Sequence, residues 1–205
     1  MINGSKIILS VLGAMCVFTI AGCKNKIDIS AYSENTLALN SDGSVTELSV
    51  EDFEESYYSQ SDLEEYIRQE VDIYNSQQAS DLLEGEEAEA VITVDQVQVA
   101  DGRARVVLTY EDLEDYAAFN YAQIQTEDGT ALTEENAQRD FVNVKDESKV
   151  SLSSIENLED YRAVTVYGPI TIVVPGKIAY VSSNITSWDG ASASCPDGSS
   201  VILYR

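Results

Sequence analysis

Apolar and polar residues alternate with a period of two over long parts of this chain. Around Asp101-Gly102, Val97 and Val99 lead in. On the return, Ala104, Val106, Leu108 and Tyr110 alternate with Arg103, Arg105, Val107 and Thr109. That spacing places one set on each face of an extended strand, and Asp-Gly tolerates the positive φ angles of a tight turn. The pattern predicts a hairpin over 91–110, and a second over 37–50 around Asp42-Gly43. Further strands are predicted at 121–126, 141–144, 163–167, 170–174, 177–182 and 201–204, with Pro175-Gly176 as a turn. The period changes twice. Ser61, with Glu64 three residues on, reads as a capping box; Leu63, Tyr66, Ile67, Val71 and Tyr74 then fall on one helical face, opposite Glu64, Glu65, Arg68, Gln69 and Asp72. A second helix is predicted over 111–120, presenting Leu113, Tyr116 and Ala117, with shorter helical turns at 133–139 and 154–158. The fold class that follows is α+β: a mainly antiparallel sheet with two amphipathic helices in a single domain, one helix lying across a curved sheet.

A different pattern opens the chain. Lys6 is followed by fourteen uncharged, largely apolar residues, 7–20, and then by Ala21-Gly22-Cys23. The run is too short to span a bilayer, which takes about 20 residues, and has the length and flanks of a secretory signal. Small residues let the chain lie extended in a peptidase groove, and the Cys23 thiol is the nucleophile that can take a thioether lipid. Ile20-Ala21-Gly22-Cys23 resembles a bacterial lipoprotein signal. The resemblance implies a diacylglycerol on Cys23, cleavage before it, and acylation of the new N-terminus, palmitate being an expected chain; two or more acyl chains anchor stably. The expected organisation is a signal peptide at 1–22, a lipidated cysteine and short tether at 23–35, and an extracytoplasmic domain at 36–205. Localisation would be the outer face of the cell membrane, or the outer membrane in a Gram-negative cell. Twelve tether residues reach at most roughly 40 Å.

Charge narrows the partners. The chain carries 12 basic and 36 acidic residues, a net charge of −24, and removal of residues 1–22 takes away only Lys6, giving −25 over 183 residues. Such a surface repels nucleic acid and anionic headgroups and suits a soluble domain held off a membrane. Once Cys23 is lipidated, Cys195 is the one mature cysteine, so no intramolecular disulfide forms. Nearby acids would raise its pKa, and a buried thiol is expected.

Candidate chemistry is sparse. The chain has no histidine, which closes Ser-His-Asp and Cys-His catalysis and the common zinc sites. No phosphate loop or dinucleotide fingerprint is present. Paired acids such as Glu54-Glu55 and Glu64-Glu65 leave a two-carboxylate hydrolase as the less favoured reading. No enzyme and no cofactor beyond the lipid are expected, with calcium as the alternative. For calcium, Asp128 in Thr126-Glu127-Asp128-Gly129 and Glu134 in Thr133-Glu134-Glu135 are the candidate ligands, although the spacing departs from the EF-hand and an acidic turn followed by a helix cap explains the same residues. For a glycan or protein ligand, Tyr58 (with Tyr57) and Trp188 are the aromatic candidates, while Tyr66, Tyr74, Tyr110 and Tyr116 are assigned to the core.

The stretches 45–58, 62–67, 110–120 and 180–184 together resemble small lipoproteins of clostridia-type Firmicutes. They include Val50-Glu51-Asp52-Phe53-Glu54-Glu55-Ser56-Tyr57-Tyr58 and Tyr110-Glu111-Asp112-Leu113-Glu114-Asp115-Tyr116-Ala117-Ala118-Phe119-Asn120. The resemblance implies a lipid-anchored exported protein in a single-membrane cell and brings no activity, cofactor or site residue with it. The expected function is a non-enzymatic, lipid-anchored domain that binds a protein or cell-envelope component, with calcium or glycan binding as the alternative.

Overall fold

The computed structural model describes residues 26–55, 59–80, 90–132 and 139–205. Cys23, Tyr58, Glu134 and most of the helical turn expected at 133–139 lie outside them. In chain order the elements are β1 (Thr36–Leu39), β2 (Val45–Asp52), α1 (Gln60–Ser80), β3 (Ile92–Ala100), β4 (Arg103–Tyr110), α2 (Leu113–Asn120), β5 (Ile124–Asp128), β6 (Asp140–Asn143), β7 (Lys149–Ser151), β8 (Arg162–Tyr167), β9 (Ile170–Val173), β10 (Ile178–Ser182), β11 (Ser187–Trp188), β12 (Ser192–Cys195) and β13 (Ser199–Tyr204). The fold is α+β with the sheets dominant. Both predicted hairpins form, β1–β2 and β3–β4. At the second, Asp101 and Gly102 take φ of 52° and 73°, the consecutive positive angles of a type I′ turn, which glycine adopts without a Cβ clash.

The strands make two sheets. One runs β11-β12-β9-β1-β2-β4-β3, antiparallel except where β1 lies parallel to β9; the other runs β5-β8-β13-β10-β6-β7, antiparallel throughout. Their inner faces share the main core, to which Leu37, Leu39, Val45, Val106, Leu108 and Ile172 come from the first sheet and Val164, Val166, Val181, Ile202 and Tyr204 from the second. Outer faces are covered too. Along β13, Ile202 and Tyr204 face this core, while Val201 and Leu203 join Phe141, Ala163, Leu152, Ile155 and Tyr161 in a second cluster behind the sheet. A strand buried on both sides has no polar alternation left, which is why it reads as the continuous run Val-Ile-Leu-Tyr.

Several local expectations change. Helix α1 begins at Gln60, and its cap is Ser59: the Asp62 N–H donates to Ser59 Oγ at 3.4 Å and the Leu63 N–H to Ser59 O at 3.0 Å. Ser61, expected as the cap, already lies inside the helix. Rather than crossing the sheet, α1 runs antiparallel to its edge strand β3. Gln60 Oε1 accepts from the Val99 N–H at one end, and at the other the Asn75 side chain exchanges two 2.9 Å hydrogen bonds with the Ile92 main chain. Those amide bonds occupy edge groups that would otherwise template association. In place of the turn expected at 154–158, two 3-10 turns stand at Leu152–Ser154 and Leu158–Asp160. Strands β7, β11 and β12 had no apolar alternation to announce them.

The expected tether is packed from Ile27 onward. Ile29 is buried with Ala38, Leu48 and Val173 on the outer face of the first sheet, and Ile27 and Tyr32 pack on the same cluster. The Ile27 N–H donates to Asn40 Oδ1 at 2.8 Å, and Asn35 Oδ1 accepts from the Val50 N–H at 2.7 Å. Residues from Ile27 on, expected as tether, are thus packed onto the described core.

Candidate functional site: an aromatic groove between the two helices

The site begins with a buried acid. Period two along β2 puts Glu47 on the same face as Val45, toward the core, where it is 9 % exposed. Among the described residues no cation pairs with it, and its carboxyl is held by donors: Tyr110 O–H at 2.5 Å and Asn120 Nδ2 at 3.3 Å, both to Oε2, and Ser49 O–H at 3.1 Å to Oε1. Desolvation raises its pKa above the ordinary carboxylate range despite those bonds, and the same burial, with Glu47 alongside, raises the Tyr110 phenol.

This network fixes α2. Asn120 Nδ2 also donates to Tyr110 Oη at 2.9 Å and to Tyr116 O at 3.2 Å, tying the last turn of the helix to the sheet. Its first turn is capped by Asp112, whose Oδ1 accepts from the Asp115 N–H at 2.9 Å. Tyr110 meets Tyr116 edge-on at 5.3 Å and Phe119 at 6.1 Å between ring centroids. Phe119 in turn meets Tyr74 of α1 edge-on at 5.5 Å, and the Tyr74 hydroxyl donates to Asp115 Oδ1 at 3.1 Å. The two helices are thus set at a fixed spacing by aromatic contacts that favour this geometry.

Between them runs a groove of about 570 Å³ with Leu108 at its base, Tyr74 and Phe119 on its walls and Tyr66, Ile73 and Tyr121 at its rim. Those three rim residues are 60 %, 46 % and 94 % exposed. Tyr66, expected in the core, therefore faces solvent: the apolar face of α1 is narrower than predicted, and only Val71 on it is fully buried. Tyr121 is the residue sequence reasoning missed. It sits just past α2 at φ 51°, ψ 33°, and the following Ala122 N–H closes back on Ala117 O at 2.9 Å. That is the left-handed helix-ending position usually given to glycine; a tyrosine there costs backbone energy, and its ring is turned outward. The signal was the helix stop at Asn120, read as a boundary only.

The other sequence candidates lie elsewhere. Trp188 is half-buried against the main core on the two-residue edge strand β11. Asp128 ends β5 opposite Arg162 of β8, and among the described residues no group of three or more acids or cysteines converges as a metal site. Cys195 is buried as expected, but the cause differs: burial, rather than neighbouring acids, pushes the thiol up to about 11. Among the described residues, no helix is long and apolar enough to cross a membrane. Compared with known protein families, curated proteins and solved structures, the chain matches none, so the reading of the groove rests on its own chemistry.

Proposed function

We propose that this chain is a lipid-anchored, extracytoplasmic, non-enzymatic domain that holds a protein or cell-envelope component in the groove between α1 and α2. The observation that carries the reading is Tyr121, a large aromatic kept 94 % exposed in a left-handed conformation at the rim of an aromatic groove. Strain and exposure in one residue favour a functional role over a packing role. Aromatic walls take the apolar faces of side chains or of sugar rings, and Glu70 and Gln77, which also line the groove, offer polar partners beside them. The anchoring half of the proposal rests on the N-terminal run ending in Cys23.

Each half has its own test. Cys23→Ala should abolish metabolic labelling by a fatty-acid analogue and release the protein from membranes; persistent labelling would refute the anchor. A photo-crosslinker at position 121 in cells should give an adduct that a crosslinker at the exposed Tyr167 does not, and Tyr66→Ala should remove it. Identical adducts from both positions, or none from either, would refute the groove.

A further inference from the structure

Acids outnumber bases three to one in this chain, yet two adjoining clefts at one end of the domain are lined by basic side chains and by no described acidic side chain. The first, about 470 Å³, is lined by Arg162 and Arg205 together with Asn40, Ser44 and Tyr204. The second, about 330 Å³, is lined by Lys145, Lys177 and Arg205 together with Tyr161 and Tyr180. Arg205 belongs to both. The ion pairs among the described residues, Arg68–Glu64 and Arg103–Asp52, involve none of these four bases. Acids also stand near: Asp146 bonds the Ser148 N–H and hydroxyl at 3.1 and 2.6 Å and is held low in part by Lys145 beside it, and Asp128 lies opposite Arg162 across β5 and β8; neither acid lines the two clefts. The bases are held by rigid parts. Lys177 and Arg205 exchange main-chain hydrogen bonds of 2.8 and 3.0 Å, and the Arg205 guanidinium lies 5.3 Å from the centre of the Tyr161 ring, which meets Tyr180 edge-on.

The chain also enters the domain here. The Ile27 N–H is bonded to Asn40, and Asn40 lines the first cleft. From Cys23 to Ile27 is four residues, at most about 14 Å when extended. The packed segment described above thus leaves a much shorter leash than the tether expected from sequence, and it holds this end, rather than an arbitrary face, toward the membrane.

We propose that the Lys145–Lys177–Arg162–Arg205 end docks on the anionic phosphodiester headgroups of the membrane that carries the anchor. This rests on the lipid-anchor reading. Guanidinium and ammonium groups recognise phosphate by charge-assisted hydrogen bonds, and juxtamembrane bases act on anionic lipid only within about a Debye length, some 8–10 Å at physiological salt. The large negative charge of the distant surface is therefore screened, while the end nearest the bilayer presents its bases.

The test uses residues 26–205, which lack Cys23 and whose cooperative thermal melt is established first, in co-sedimentation with phosphatidylglycerol/phosphatidylcholine vesicles and with phosphatidylcholine alone. We expect retention on the anionic vesicles only, loss of that retention in high salt, at least a tenfold weakening by Lys145→Glu with Lys177→Glu, and no weakening by Arg103→Glu in the β3–β4 turn. Thermal melts of both variants check that they fold. Equal retention on neutral vesicles, no retention at all, or unchanged retention of the double variant would overturn the proposal. So would binding of soluble glycerol phosphate by a domain that ignores the vesicles. Because the protein tested lacks Cys23, none of these results bears on lipidation, which the labelling of Cys23→Ala decides separately.

Discussion

Replacing Glu47 tests how the candidate site is held together. Its pKa is raised in the folded state, so between the unfolded value, about 4.3, and the raised folded value the native protein binds more protons than the unfolded chain. Stability then falls as pH rises through that window. Glu47→Gln removes the titration but keeps an acceptor for the Tyr110 hydroxyl and Asn120 amide, and the Ser49 hydroxyl can rotate to accept from the new amide. Glu47→Leu removes the titration as well, but leaves the Tyr110 O–H, on a side chain with 0 % exposure, without the acceptor it now has at 2.5 Å. One buried unpaired hydroxyl costs about 1–3 kcal/mol, which for a domain of this size is a few degrees in Tm. The assay is urea unfolding of the parent and both variants at pH 5 and pH 8. The parent should lose stability between the two pH values more than either variant does. The leucine variant should lie about 1–3 kcal/mol below the glutamine variant at both. If Glu47→Gln shows the same pH dependence as the parent, Glu47 is not the buried proton site and the account of α2 anchoring fails.

Other outcomes follow from single positions. Tyr121→Gly should keep or raise stability by up to about 1 kcal/mol, since glycine relieves the left-handed strain, while removing the crosslink partner of the groove; a clear loss of stability would show that the ring packs rather than binds. In Gly129→Ala the new Cβ would stand 2.6 Å from Leu158 O and 3.1 Å from Tyr161 O, both main-chain atoms, so thermal unfolding should show a destabilisation of about 1–3 kcal/mol. Cys195, with a buried thiol near 11, should resist a thiol reagent at pH 8 in the native protein and react fully in denaturant; rapid native labelling would contradict its burial.

How far the sequence reaches can be judged residue by residue. The alternation around Asp101-Gly102 and Asp42-Gly43 was strong enough to place both hairpins, because one face of each strand is more polar than the other. Strand β12, Ser192–Cys195, is missed because its small residues pair between β9 and β11 and need no large apolar side chain to be buried. Glu47 is legible in its period but not in its meaning: the same spacing that aims it inward cannot say that Tyr110 and Asn120 wait there, since those partners arrive from 63 and 73 residues away. Tyr66 failed for the opposite reason. It lies on the apolar side of α1 by angle, but the edge strand beneath that helix is too narrow to cover the whole face. The groove needs both helices at once, and no local window contains them.

The parallel pairing of β1 with β9 has a consequence for how this domain is made. The Thr171 hydroxyl bonds Glu34 across 137 residues of sequence, and Ser194 bonds the same carboxylate across 160. The first strand sits in the middle of its sheet, so one of its edges stays open until the last third of the chain has been synthesised. Contacts this distant in sequence close slowly, because the entropy of the long loop is lost before the contact forms. A chain emerging N-terminus first can pair β1, β2, β4 and β3 early, but the other edge of β1 keeps its main-chain donors and acceptors unpaired until β9 has been made.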